Sequence, residues 1–226
     1  MTLVVSPSLM QRLITALIFG PVTFALWFYG GVPFLVFLLV MLLVSAWEWT
    51  GMSLRLPPTP VRGIVTVVGI LYLAACFLAI ARLGIHYGRD YAILLLLMIW
   101  MSDSFGYAFG KTIGGPKMAP VLSPNKTYAG LLGAMVGPAV TVWLYTTFLT
   151  LPDTAYIDQR LHILIGAGLG ACGQAGDILI SAMKRKVGVK DTGTILPGHG
   201  GVLDRIDALL LAGLAYLIII SFTLAA

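Results

Sequence analysis

The sequence predicts an all-α, polytopic transmembrane helical bundle of about seven spans. Three observations carry that reading. Only 10% of the residues are charged while 59% are hydrophobic, and the mean hydropathy is +0.97. A soluble domain carries roughly 25% charged residues, so this chain has too little charge to coat a soluble globule. Apolar runs of spanning length recur along the chain, and nearly all the basic residues fall between them.

A span needs roughly 20 mostly apolar residues to cross a hydrocarbon core. The first, 10–29, lacks a small-residue cleavage site and reads as a retained span rather than a removable signal. Gly30-Gly31 and Pro33 leave almost no loop before the second, 32–50. Leu56-Pro57-Pro58-Thr59-Pro60 cannot continue a helix, so the third begins after it and covers 62–82. The fourth, 91–110, and fifth, 128–150, flank a polar loop at 110–127. The sixth, 161–182, and seventh, 203–225, flank a second at 183–202. With no internal repeat and no soluble portion, residues 1–226 read as one membrane domain. Its N-terminal spans occupy 1–90, and 91–226 carries the polar motifs.

Orientation follows from the lysines and arginines. With the N-terminus inside, 11 of the 14 basic residues, Arg12 among them, lie on the cytoplasmic side and Arg82, Arg89 and Arg160 lie outside. The expectation is N-in/C-out, with both polar loops facing the cytoplasm. The net charge of +5 then reflects membrane orientation and anionic substrates rather than nucleic acid. Cys76 and Cys172 sit in apolar runs without partners at ligand spacing, which suits small core residues. Glu48, between Trp47 and Trp49 at a span end, is expected at the membrane interface.

The stretch from Asp177 to Asp207 holds four of nine acidic and five of 14 basic residues. On a helix, Asp177, Ser181 and Lys184 share a face, as do Asp204 and Asp207 after the loop. One reading is simple charge pairing, Asp177 with Lys184 and Asp204 with Arg205. The other is Mg²⁺ held by carboxylates against a polyphosphate, since that ion takes one or two carboxylates plus substrate phosphates. Lys184, Arg185, Lys190 and Arg205 would neutralise phosphate oxygens. Pro197-Gly198-His199-Gly200-Gly201 offers backbone N–H groups as an anion nest, with the N-terminus of the seventh helix beside it. His199 reads equally as a phosphate ligand or proton carrier and as a local loop contact.

A second constellation joins Asp103, one turn from Tyr107, to Lys111, Lys117, Ser123, Asn125 and Lys126. Asp103 fits either a lysine partner or a nucleotide pocket. Gly106-Tyr107-Ala108-Phe109-Gly110-Lys111-Thr112 misses a P-loop by one residue between the glycines and lies in an apolar helix, so it is set aside.

Read together, Ser181-x-x-Lys184-Arg185-x4-Lys190-Asp191-x-Gly193-x-x-Leu196-Pro197-x-His199-Gly200-Gly201-x-x-Asp204-Arg205-x-Asp207 resembles the signature of the phosphatidate cytidylyltransferase (CDP-diacylglycerol synthase) family. Lys117 to Thr127 resembles its second motif. The resemblance implies transfer of a cytidylyl group from CTP to phosphatidate with release of pyrophosphate, in phospholipid biosynthesis. It also implies Mg²⁺, alone or with a second cation, and a homodimer in the lipid bilayer, the cytoplasmic membrane in a bacterium. Asp177 and Asp204 would lead as metal ligands, with Asp207 close behind. Asp191 and the loop's basic residues would join them in the catalytic set, and Ser181, Gly200 and Gly201 would contact substrate. The chain departs from the family at Ala129 and Ile180, where acidic residues are common. Alternatives are a CTP-dependent lipid-alcohol kinase, an isoprenoid-lipid cytidylyltransferase and, in a different class, a secondary transporter using Asp103 and Asp177. The transporter is disfavoured because charge gathers at one face and no inverted repeat is apparent.

Overall fold

The computed structural model describes residues 7–149 and 159–223, including the side chains of Thr15 and of residues from Leu17 onward. Its elements are α1 (Pro7–Tyr29), α2 (Gly31–Ser53), α3 (Pro60–Arg82), a single π-helical turn (Leu83–Tyr87), α4 (Arg89–Thr112), β1 (Lys117–Ala119), β2 (Ser123–Thr127), α5 (Tyr128–Phe148), α6 (Gln159–Lys186) and α7 (Leu203–Thr223). Each apolar run is helical because hydrocarbon offers the backbone no partner, and a helix satisfies its own N–H and C=O groups.

Among the described residues six helices, α2 to α7, are long and apolar enough to cross a membrane. The first expected span falls on α1, whose described apolar stretch is the shorter Leu17–Tyr29. The side chain of Arg12, and Thr150, Leu224 and Ala225 at expected span ends, lie outside the described residues. Pro60 sits in the first turn of α3, where its missing N–H costs nothing. Thr127 caps α5 by accepting from Gly130 N–H at 3.0 Å.

One element differs from expectation. The segment 110–127 contains an antiparallel hairpin, with Lys117 opposite Thr127 and Ala119 opposite Ser123. Such short strands carry no periodic signal and are defined by their pairing.

The core joins α3, α4 and α7, where Leu73, Ile80, Leu95, Met98 and Leu210 are fully buried. Leu39 and Leu43 of α2, and Val67 and Leu71 of α3, are exposed on the outer surface, as hydrocarbon contact requires. Helices α4 to α7 pack in antiparallel succession, α4 against α5 most extensively. Their closeness depends on glycine. A Cβ on Gly170 of α6 would collide with the carbonyl of Ala134 in α5. One on Gly176 would lie 2.6 Å from the carbonyl of Asp207 in α7. Small residues permit such approach in membrane bundles. Gly170→Ala must push two backbones apart, and we expect it to lower stability by about 1–3 kcal/mol, read as a reduced melting temperature in detergent.

Candidate active site

The polar residues converge where the ends of α4, α6 and α7 meet the hairpin and the loop 187–202. That loop folds back on itself: Leu196 N–H donates to Gly200 O at 3.0 Å, and His199 N–H donates to Leu196 O at 2.9 Å. Gly198 and Gly200 take positive φ values of 74° and 84°, which a side chain would strain. Thr15 of α1 donates to the Pro197 carbonyl at 3.0 Å, tying the first helix to the loop.

Two carboxylates hold the loop. Asp204, whose side chain is 4% exposed, takes Lys184 Nζ on Oδ1 at 2.6 Å. Its Oδ2 accepts from Thr192 N–H at 2.7 Å, Thr192 Oγ1 at 3.0 Å and Gly201 N–H at 3.0 Å. The second is Glu48. It is only 2% exposed and turned into the protein, beneath the loop, rather than out towards the surface. Its Oε1 accepts from Val202 N–H at 2.9 Å, and its Oε2 from Leu203 N–H at 2.8 Å; Thr192 Oγ1, 3.0 Å from both Oε2 and Asp204 Oδ2, shares its one proton between the two carboxylates. A Cβ on Gly193 or Gly201 would lie 2.6 Å from Glu48 Oε1, so both glycines make room for the carboxylate. Part of the expected anion nest is therefore already engaged: Gly201 directs its N–H to Asp204 and His199 its own to Leu196 O, while Val202 and Leu203 at the start of α7 direct theirs to Glu48. Resident carboxylates satisfy the same N-terminal donors that a phosphate would seek.

The ion pairs also differ from the spacing-based pairing. Asp177 Oδ2 pairs with Lys126 of β2 at 2.7 Å, while Lys184 crosses to Asp204. The antiparallel packing of α6 and α7 sets Lys184 opposite the start of α7, and the hairpin delivers Lys126 to α6. Ser181 Oγ donates to Asp177 Oδ1 at 3.1 Å, orienting it. Lys126 Nζ also reaches Gln174 O at 3.3 Å.

Two cavities meet here. A polar cleft of about 550 Å³ lies between α4, the hairpin, α5 and α6, lined by Asp103, Lys111, Asn125, Lys126 and Asp177. A largely apolar cavity of about 290 Å³ lies between α1, α2, α3, α4 and α7, with Asp103, His199 and Arg205 as its charged and imidazole groups. Asp103 lines both. Asp103 and Asp207 lie within electrostatic reach of Asp177, and Arg205 within reach of Asp103. Asp207 is buried, with Oδ1 accepting from Ala208 N–H at 2.8 Å.

Other expected site residues stand apart from the cleft. Arg185 is exposed and braces the hairpin turn to the loop, donating to Leu122 O at 3.2 Å and Val189 O at 3.3 Å. Lys117 and Lys190 are exposed, and Ser123 is half-buried in β2. Asp191 lines a third cavity of about 370 Å³ with Glu48, Arg55 and Thr192.

The donor set suits a hard divalent cation in part. Among the described residues no three His, Cys, Asp or Glu side chains gather to enclose a metal ion. Asp177 and Asp204 each pair instead with a lysine ammonium, at 2.7 and 2.6 Å. Mg²⁺ takes one or two carboxylates together with substrate phosphates, so either aspartate fits it only as part of a set that the substrate completes.

Residues 55–223 match the family described as Cytidylyltransferase family. The phosphatidate cytidylyltransferase of Brucella melitensis is 31% identical over 249 residues, covering 91% of this chain and 90% of that protein. That of Bacillus subtilis is 40% identical over 151 residues, covering 66% of this chain and 54% of the relative. The Staphylococcus epidermidis enzyme of the same name is 36% identical over 144 residues, covering 60% and 54%. Cleft, loop and signature all fall inside the matched residues, and the chain belongs to the cytidylyltransferase family.

Proposed function

We propose that the protein is an integral-membrane phosphatidate cytidylyltransferase, converting CTP and phosphatidate to CDP-diacylglycerol and pyrophosphate. The observation that carries this reading is the shared wall at Asp103. A polar cleft that suits a nucleotide triphosphate and an apolar cavity that suits a lipid tail meet at one carboxylate.

In this reading the CTP phosphates lie along Lys111 and Lys126, and the lipid phosphate lies near His199 and Arg205. An anionic oxygen of the lipid phosphate attacks the α-phosphorus of CTP in line. The new P–O bond forms as the bond to the β-phosphate breaks, and its electron pair leaves with pyrophosphate. No proton must be removed from the nucleophile, so positioning and charge neutralisation carry the rate. Asp177 and Asp204, with Asp207, are the residues that would hold Mg²⁺, and the ion would supply charge neutralisation to the phosphates. Lys126 and Lys184 would then turn from the carboxylates towards phosphate oxygens. Room for a second cation, one membrane domain, an N-in/C-out topology, a cytoplasm-facing site in a bacterial cytoplasmic membrane and a homodimer belong to the same proposal.

The test is pyrophosphate release by detergent-purified protein given CTP, phosphatidate and Mg²⁺, each omitted in turn. The expected result is release that depends on all three, with CDP-diacylglycerol as the lipid product. Release of CDP instead would indicate a lipid kinase, and no turnover by folded protein would overturn the reading.

A further inference from the structure

The polar cleft is lined by two carboxamides, Asn125 and Gln174. Asn125 is exposed on the hairpin, whereas Gln174 sits half-buried within α6, one turn before Asp177. Other polar groups of the wall are engaged: Lys126 with Asp177, Lys111 with the Tyr107 hydroxyl at 3.3 Å, and Thr127 with Gly130 N–H. The Gln174 backbone carbonyl takes Lys126 Nζ, but among the described residues its side-chain amide has no hydrogen-bond partner. Neither amide atom is sealed from water. Helix packing places it at the cleft wall. Gly166 meets the Pro138 carbonyl and Gly170 the Ala134 carbonyl, and one further turn of both helices brings Gln174 level with Gly130. Gly130 lines the cleft with Gly106, Gly110 and Leu131, so the wall at this depth is low and partly apolar.

A carboxamide presents a carbonyl acceptor and an NH₂ donor side by side and carries no charge. Phosphate oxygens only accept, so a triphosphate would use one half of it and oppose the other. The edge of cytosine uses both halves, because its 4-amino group donates and its N3 accepts. We propose that Gln174 reads the cytosine base of CTP, its side-chain carbonyl accepting from the 4-amino group and its NH₂ donating to N3. The glycines and Leu131 give the flat ring its resting wall. Lys126, whose Nζ lies 3.3 Å from the Gln174 backbone carbonyl, then stands where the phosphates begin. This rests on the CTP reading of the cleft given above.

A carboxamide can turn over to meet the inverted edge of uracil, so comparing CTP with UTP does not isolate this contact. The test is equilibrium binding to the detergent-purified full chain, without phosphatidate, of CTP, 2′-deoxy-CTP and the pyrimidin-2-one ribonucleoside triphosphate, which lacks only the 4-amino group. Each hydrogen bond should contribute about three- to tenfold in affinity. The parent protein should therefore hold CTP about three- to tenfold tighter than the pyrimidin-2-one analogue. Gln174→Met keeps the length of the side chain and removes both polar atoms. It should weaken CTP by about ten- to a hundredfold and bring CTP and the analogue within about twofold of each other. Its preference between CTP and 2′-deoxy-CTP should match the parent's, and its nucleotide-free melting temperature should be unchanged, because the amide it removes has no partner. Equal affinity of the parent for CTP and the analogue would overturn the assignment without needing any variant. So would a contrast that survives in Gln174→Met, or a variant that loses its preference at the ribose instead. Any of these in a protein that still makes CDP-diacylglycerol would leave the enzymatic reading intact. The expected pattern in a protein that makes no CDP-lipid would overturn that reading and leave the base site standing.

Discussion

Asp177→Asn should reduce pyrophosphate release by about 10³-fold or more while moving the melting temperature by no more than about 3 °C. The side chain of Asp177 is 31% exposed and contributes one ion pair, to Lys126, and one hydrogen bond, from Ser181. A pair so open to the cleft contributes about 0–1 kcal/mol to folding. Its carboxylate nevertheless lines the cleft assigned to the triphosphate, where the proposed cation binding would need the charge and an amide would not supply it. Asp204→Asn should behave differently, losing turnover and stability together. Its Oδ2 gathers three donors, and its Oδ1 neutralises Lys184, whose side chain is 11% exposed. Removing one partner of a buried pair costs about 3–5 kcal/mol. At about 2–4 °C per kcal/mol this lowers the melting temperature by roughly 10 °C. Turnover and thermal unfolding measured on both variants separate the roles. Near-parental turnover in both would sink the assignment of a metal to these two carboxylates.

The contrast between these aspartates marks where sequence reading stops. Helix positions were legible because the breaks are chemical: Pro57-Pro58 and Pro60 end one run, and polar loops end others. Thus α3 (Pro60–Arg82) and α4 (Arg89–Thr112) lie within two residues of the expected 62–82 and 91–110. The hairpin was not legible, since a three-residue strand has no period and exists only through its partner. The list of polar residues was legible, but their pairing was not. Helical spacing suggested Asp177 with Lys184 and Asp204 with Arg205, whereas interhelical packing set Lys126 against Asp177 and Lys184 against Asp204. Glu48 had a signal of its own, being the first acidic residue in the chain and the only one before Asp90. An acidic group within an apolar helix commonly has a buried purpose. Its flanking tryptophans suggested the interface instead, and only the fold brings α2 beneath the loop. Thr192 has no such signal, because its role of bridging Glu48 and Asp204 exists only after both have arrived.

Glu48→Gln should lower the melting temperature by roughly 5–10 °C and reduce turnover at saturating CTP, although Glu48 lies outside the matched residues 55–223. The carboxylate accepts three hydrogen bonds, two of them from the backbone at the start of α7. An amide has one acceptor oxygen and presents an NH₂ to at least one of these donors, so a buried N–H or hydroxyl loses its partner. Each orphaned group costs about 1–3 kcal/mol, and loss of the negative charge at the helix N-terminus adds up to about 1 kcal/mol. Space gives no relief, because Gly193 and Gly201 press against the same oxygens. The damage should extend beyond stability. Thr192 links Glu48 to Asp204, so a loosened Glu48 loosens the aspartate that faces Lys184. Turnover at a temperature where the variant remains folded should therefore fall by about tenfold, with KM for CTP changed far less because the cleft residues Lys111, Asn125 and Lys126 are untouched. Thr192→Val removes the bridging hydroxyl but leaves the charge of Glu48 and the Thr192 N–H bond to Asp204 in place, and should give a smaller loss in the same direction. A variant at Glu48 that melts and turns over like the parent would show that α2 does not hold the loop, and would return Glu48 to an interfacial role.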